Sequence, residues 1–412
     1  MQDLLKWMPL RRTELGLLGA IVVVVVTVLL LDSNHSYYED PTASLTDIAR
    51  QTALLGIFSL GAAVVIISGG IDLSSGSMVA FSGSICASIF MLMVPDDFMN
   101  RAGGMNYGTN LIITAILITL LVGLLVGTLH AWLISVVGLP PFIATLASLV
   151  GLRSLARALI EFVTKFKTQM ASTQIQIFGE DFRAITNSVQ VRVWVFLVLA
   201  AIVWFLLSKT IVGRHIYALG GNEQAAKLSG IRTDNVKWLA YCIGTVTASI
   251  AGIFYIGDQS VADPQTLGRG YELNAIAAAV VGGCSLQGGV GTVPGTVLGT
   301  LFLRTVIDGV AKIIHTGADV FEGLIVGIVV VLAVAFSQLR KSHGTRQFFA
   351  GTQGIVAALT LSGMAGVLIT LLGGQIQVGI IATVVALILL SGLVTYERVR
   401  QHKSRSTRLN RD

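Results

Sequence analysis

The sequence predicts an all-α polytopic membrane protein, and three observations carry that prediction. Apolar runs long enough to cross a bilayer as helices recur through the 412 residues. The composition is 54% hydrophobic and only 12% charged, where a soluble domain carries about 25% charged residues. Glycine reaches 45 residues, a usage that suits close helix packing and broken helices in lipid. Mean hydropathy is +0.79. The net charge of +6 is therefore no nucleic-acid signal; it reflects basic residues gathered on one membrane face. Cys86, Cys242 and Cys284 lie in or beside apolar segments, without metal-ligand spacing or a disulfide mate. The six histidines are scattered, and no HExxH, Walker A or GxSxG pattern occurs. Metal, hydrolytic and redox chemistry have no candidate cluster.

Each element follows from the pattern of apolar runs and charges. Lys6, Arg11 and Arg12 precede a long apolar run with no small-x-small site after it, which reads as an uncleaved first span over 15–31. The loop 32–47 carries Asp32, Glu39, Asp40 and Asp47 and no Lys or Arg, so it is expected outside. Span two (48–68) runs inward to SGGIDLSSGS, and span three (78–94) returns to an outer loop with Asp96, Asp97 and Arg101. Span four (110–136) turns at Gly138–Pro141 into span five (142–160), an outer segment covers 161–190, and span six is 191–208. A basic loop over 209–237 is expected inside. Span seven (238–257) leads to an outer loop with Asp258 and Asp263, then to an apolar segment over 273–283 too short to cross. Spans nine (293–313) and ten (321–337) follow, then Arg340, Lys341 and Arg346. Two further spans (354–372 and 377–396) and a basic tail over 397–412 close the chain. The expected division is a core over 1–340, a two-span hairpin over 341–396 and the tail, with both termini cytoplasmic.

The loop between spans six and seven is the one sizeable polar insertion in the middle of the chain. Arg214, Lys227, Arg232 and Lys237 outweigh Glu223 and Asp234. Inside it EQAAKLS reads as a helix of about two turns, with Asn222 as N-cap and Gly230 as the left-handed residue past its end. So short a helix needs something to dock against. An ordinary basic loop is one reading; a docking site for a soluble partner, through Ala225, Ala226 and Leu228, is the other.

A faint duplication underlies the spans. Gly69–Gly76 (GGIDLSSG) resembles Gly282–Gly289 (GGCSLQGG), each after an apolar run and each before a small-residue helix. Paired glycine-interrupted segments in two halves point to a transport path. Asp72 lies between apolar segments, where an ionisable group is costly; it reads as an N-cap supported by Ser74 and Ser77, or as a polar lining of a solute path, and both can hold. Arg153 and Arg157 share a helix face that looks at a pore, a partner helix or the interface by snorkelling. Arg304 and Asp308 have intrahelical ion-pair spacing.

Four stretches, SGGIDLSSGSM, LPPFIATLA, GRHIYALGGNEQAAKLSGI and YELNAIAAAVVGGCSLQGGVGTVPG, resemble permease subunits of bacterial ABC importers for monosaccharides of the ribose, xylose and galactose type, related to branched-chain amino acid permeases. The resemblance covers about Thr46 to Arg340. It implies a core of about ten spans with broken helices, to which the last two spans are additional. It implies two permease copies forming one pore, two cytoplasmic ABC ATPase subunits holding ATP and Mg, and a periplasmic sugar-binding protein, with no cofactor in this chain. It implies that Asn222, Glu223, Ala225, Ala226, Lys227, Leu228 and Gly230 form the ATPase-coupling helix. Gly69, Gly70, Asp72, Ser74, Gly76, Ser77, Phe142, Ser148, Gly283, Ser285, Gly288 and Gly289 would flank the translocation path. The rival reading is an ion-coupled secondary transporter using Asp72 or Asp308; a membrane-embedded enzyme is a further rival, without a catalytic cluster to support it.

Overall fold

The computed structural model describes residues 12–94, 106–314, 322–329, 331, 351–373 and 376–409. They are almost entirely helical. Seven helices are long and apolar enough to cross a membrane: α1 (Arg12–Leu31), α3 (Pro41–Ile67), α4 (Ser75–Met93), α5 (Thr109–Ser135), α6 (Pro141–Thr168), α8 (Val189–Lys209) and α11 (Thr233–Gln259). Between them lie α2 (Ser36–Glu39), α7 (Glu180–Asn187), α9 (Ile211–Gly221) and α10 (Glu223–Leu228). The half-length α12 (Tyr271–Val281) and then α13 (Val293–Ile314) follow. Residues 322–329 and 331 are helical; the rest of the tenth span, Arg340, Lys341 and Arg346 lie outside the described residues, as do Asp96 and Asp97.

The chain divides into two compact units, Met1–Val334 and Ala335–Asp412. In the first, α3, α4 and α11 are central: 89%, 78% and 78% of their apolar stretches are buried, against 17% to 33% for α1, α5, α6 and α8. The peripheral helices turn Leu, Val, Ile and Phe outward, as a lipid-facing layer requires. α11 packs on α3, α4 and α5, and small residues let the backbones approach. A Cβ at Gly61 would meet Thr247 and the Gly244 backbone, and one at Gly127 would meet Thr245 and Cys242. In the second unit, α14 (Gly351–Gly373) and α15 (Ile376–Leu409) pack on each other through Gly366 against Thr383 and Gly379 against Thr370. The expected tail over 397–412 is helical as far as Leu409, so α15 continues past the apolar run rather than ending there.

Several boundaries move for identifiable reasons. α3 begins seven residues before the expected span because Asp40 caps it, its carboxylate accepting the Ala43 N–H at 2.9 Å with Pro41 as the first helical residue. α6 runs to Thr168 because Val163 and Thr164 still find buried contacts and Lys165 and Lys167 suit a helix C-terminus. The expected outer segment 161–190 contributes one strand, β1 (Ile175–Gln176), of a two-stranded antiparallel pair with β2 (Val261–Ala262), in the register Ile175 to Ala262. Asp258 sits in the last turn of α11 rather than in a loop. There it receives the fully buried Arg192 at 2.6 Å and Arg50 at 3.1 Å, joining α3, α8 and α11.

Two charge pairings differ from the spacing-based expectation. Arg304 pairs with Glu322 at 3.0 Å, while Asp308 takes Lys312 at 3.2 Å and the Tyr37 hydroxyl at 2.7 Å. Helical spacing permits a pair four residues either way, and tertiary partners decide. Arg153 and Arg157 also part company: Arg153 donates to the carbonyls of Pro264 and Leu267, bracing the turn before α12, while Arg157 faces out and pairs with Glu161 at 2.8 Å.

Candidate functional site

Two interrupted elements define the site. α3 stops at Ile67 in a Schellman motif: Gly69 N–H donates to Ile66 O and Gly70 N–H to Val65 O, both at 2.9 Å, with Gly69 at φ +86°. α12 stops at Val281 in the same motif: Gly283 N–H donates to Val280 O and Cys284 N–H to Ala279 O, both at 2.9 Å, with Gly283 at φ +95°. The caps therefore align Gly69 with Gly283, one residue away from the sequence pairing of Gly69 with Gly282. Helix resumes at Ser75 in the first element and at Val293 in the second.

The first break holds a continuous polar chain. Asp72, 3% exposed, accepts the Ser74 N–H at 2.8 Å and the Ser74 hydroxyl at 2.6 Å. It is thus an Asx-turn acceptor two residues ahead of the cap position at Ser74, not the N-cap itself. Ser77 donates to Ser74 O at 2.8 Å and reaches Ser148 O at 3.4 Å, and the Ser148 hydroxyl lies 2.7 Å from His130 Nε2. Thr145 donates to Ile71 O at 3.2 Å. The Tyr241 hydroxyl packs on Gly70, and the Glu272 carboxylate approaches Gly76. His130 and Tyr241 are electrostatic neighbours of Asp72, as is Glu272. His130 Nδ1, Ser75 Oγ and Glu272 Oε2 are buried and have no hydrogen-bond partner among the described residues. Native structures leave few such atoms, so three around one break call for a ligand or water. Among the described residues no three His, Cys, Asp or Glu side chains gather to hold a metal ion.

The second break is glycine-rich and closes on itself through Ser285 N–H to Val290 O (2.9 Å) and Gly288 N–H to Ser285 O (2.8 Å). It touches the first: Gly289 N–H donates to Ile67 O at 2.9 Å, and a Cβ at Gly288 would lie 2.8 Å from Gly69 Cα. Thus Gly69, Gly288 and Gly289 meet. Gly70, Asp72, Ser74, Gly76, Ser77 and Ser148 gather in the polar chain. Gly283 and Ser285 stay on the second break, and Phe142 is half exposed on the surface of α6.

The short helix α10 begins at the same end of the bundle. Asn222 caps it, accepting the Ala225 N–H at 3.0 Å, and a third Schellman motif closes it: Gly230 N–H to Lys227 O (3.0 Å) and Ile231 N–H to Ala226 O (3.1 Å), with Gly230 at φ +81°. Glu223 pairs with Lys237 on α11 at 2.8 Å and with Lys227 at 3.0 Å. Partial burial opposes ionisation of Glu223, but these two ammonium groups prevail and hold its carboxyl below the usual carboxylate range; Glu223 in turn raises Lys227. Leu228 is 90% exposed. Ala226 is 4% exposed and faces inward, so Ala225, Ala226 and Leu228 do not form one outer face. At about 100° per residue, positions 226 and 228 point almost oppositely.

Sequence reasoning missed His130, Tyr241 and Glu272: the first two are single polar residues inside apolar helices, and Glu272 lies in the YELNAIAAAVVGG stretch without being singled out. It also missed α9, which lay within a segment read as a loop.

Among the described residues, seven helices long and apolar enough to cross a membrane, a half-helix and paired interrupted elements around a buried polar chain describe a multi-pass membrane protein. Residues 44–334 match the family described as branched-chain amino acid transport system / permease component, and the chain belongs to that family. It is 34% identical to the ribose import permease protein of Bacillus subtilis (strain 168) over 328 residues, 79% of this chain and 92% of the relative. It is 32% identical to the ribose import permease protein of Escherichia coli (strain K12), covering 78% and 92%. It is 31% identical to the galactose/methyl galactoside import permease protein of the same E. coli strain, covering 79% and 95%. No solved structure matches the chain. The family match stops at residue 334, where the first compact unit also ends.

Proposed function

We propose that this chain is the permease subunit of an ATP-driven importer for a monosaccharide, a pentose or hexose, in a bacterial inner membrane. The observation that carries the reading is α10: six residues, too few to persist alone, fixed by two caps and the Glu223–Lys237 pair, presenting Leu228 almost fully exposed. A rigid apolar knob on a cytoplasmic face is what a soluble motor can grip. Two ATPase subunits, carrying ATP and Mg, would engage α10 through Leu228, Ala225 and Lys227, with Ala226 seating the helix from beneath. Two copies of this chain would form the pore, and a periplasmic sugar-binding protein would load it. Both termini would lie in the cytoplasm. The relatives named for ribose and galactose support a neutral sugar as solute, as do the unpartnered polar atoms around Asp72.

Leu228→Asp is the direct test. A cytoplasmic ATPase copurified with the wild type should be lost from the variant, and uptake of ribose or galactose into vesicles should fall with it. Retention of the ATPase by Leu228→Asp, or wild-type uptake that collapses with an uncoupler while ATP is held constant, would favour an ion-coupled carrier working through Asp72 or Asp308.

A further inference from the structure

We propose that α9, with Gly220 and Tyr217 as its positioning residues, is the rigid link that drives both interrupted elements at once when α10 is displaced. The inference rests on the importer reading above. Sequence alone gives 211–221 no role, since it lies in a polar insertion; the structure makes it an eleven-residue helix packed on α3, α8 and α11. Its start is capped by Thr210, which accepts the Gly213 N–H at 3.1 Å. Its buried stripe is Gly213, Ile216 and Leu219, a helical spacing that seats one face against the bundle.

The end of α9 is joined to α10 without slack. Asn222 is the last cap of one helix and the first of the other: its N–H donates to Ala218 O at 3.1 Å and its side chain accepts from Ala225 N–H at 3.0 Å. On the inner side, Gly220 lies against both breaks. A Cβ there would run into Ile67 O and Gly289 N, the two atoms of the hydrogen bond that joins the breaks. Gly220 O in turn fills the space that a Cβ at Gly288 would take. One turn back, Tyr217 donates to Gly291 O at 2.9 Å. One helix thus touches the stop of α3 and the loop before α13 through the backbone of Gly220, which cannot rotate away, and through the Tyr217 hydroxyl. A push on α10 has no flexible joint in which to dissipate before it reaches Gly69 and Gly288.

The test compares four permeases, each assembled with its native ATPase and binding protein in vesicles: wild type, Gly220→Ala, Tyr217→Phe and Gly221→Ala. Gly221 is the control, because a Cβ there meets nothing within 4 Å. The readout is sugar moved per ATP hydrolysed, a ratio that general destabilisation leaves alone because it lowers both terms together. Gly220→Ala should lower the ratio about tenfold and Tyr217→Phe about threefold, with hydrolysis and assembly retained and Gly221→Ala close to wild type. Should Gly220→Ala fail to assemble, Tyr217→Phe decides, since it removes one hydroxyl and no packing. Ratios within about twofold of wild type for both variants overturn the proposal, as does a Gly221→Ala loss equal to that of Gly220→Ala. A wild type that shows no ATP-dependent uptake sinks the importer reading instead.

Discussion

The two interruptions begin alike and are finished differently. Both α3 and α12 stop in a Schellman motif with a left-handed glycine, Gly69 in one and Gly283 in the other. After that the first break, 70–74, is short and held mostly by its own side chains: Asp72 takes both donors of Ser74, and Ser77 closes onto Ser74 O. The second, 284–292, is longer and has no carboxylate of its own. Beyond its own Ser285–Val290 and Gly288–Ser285 backbone bonds, it leans on neighbours: Gly289 N–H on Ile67 O, the Tyr217 hydroxyl on Gly291 O, and Thr292 donating to Glu14 at 2.8 Å. A loop that carries its own acceptors keeps its shape when its surroundings shift; one that borrows them follows its surroundings. The first break is thus suited to move as a unit with its internal shape kept, and the second to change shape when α9 moves.

The largest expected effect lies at the crossing. Gly288→Ala adds left-handed strain at φ +85° to overlap with the backbones of Gly69 and Gly220, and should destabilise the permease by about 2–5 kcal/mol. Thermal unfolding of the detergent-purified protein measures it. A wild-type melting curve would mean that the breaks do not meet as described. Asp72→Ala comes next: it leaves the Ser74 N–H and hydroxyl buried without their acceptor, at about 2–3 kcal/mol. Asp72→Asn keeps an acceptor oxygen and should recover all but about 1 kcal/mol. If Asn is as damaging as Ala, the negative charge matters rather than the turn, and the contrast between self-held and borrowed support weakens. Gly283→Ala should cost only the backbone term, about 1–2 kcal/mol, because no atom lies within 4 Å of the added methyl. A cost as large as that of Gly288→Ala would place an unseen neighbour at the second break.

How much of this was legible beforehand divides along the same line. Local chemistry was readable: the caps at Asn222 and Gly230, the glycine-rich breaks at 69–77 and 282–291, and an apolar segment over 273–283 too short to cross, which the structure places as a helix over Tyr271–Val281. Each depends on a few adjacent residues. What depended on distant partners was not. Arg304 finds Glu322 rather than Asp308, and Arg153 braces the carbonyls before α12. Asp72 was misread for a local reason: its carboxylate closes a two-residue turn onto Ser74, which takes the cap position itself. His130 and Tyr241 gave no sign because a lone polar residue in an apolar helix has no local pattern; only the packing of α5 and α11 brings them to Asp72. The one local signal that was overlooked is Asp40-Pro41, a cap followed by a proline at the first helical position, which starts α3.

The smallest effect tests whether the second break follows α10. Glu223 anchors α10 to Lys237 on α11, and its carboxyl titrates below the ordinary carboxylate range. A carboxyl depressed in the folded protein contributes stability that is complete above its ordinary value and is lost as pH falls through the lowered one. The pair is partly exposed, so the contribution is about 0.2–1 kcal/mol and shrinks with salt. The global melting temperature should hardly register it. Amide exchange, corrected for intrinsic rates, should: below pH 4 protection at 284–292 should fall before protection at 70–74, since only the former takes a hydrogen bond from the helix attached to α10, the Tyr217 hydroxyl on Gly291 O. Glu223→Gln at neutral pH should reproduce the pattern, and high salt should reduce the difference between wild type and variant. Equal loss at both breaks would mean that acid acts through a group other than Glu223 and that α10 has no selective hold on the second break.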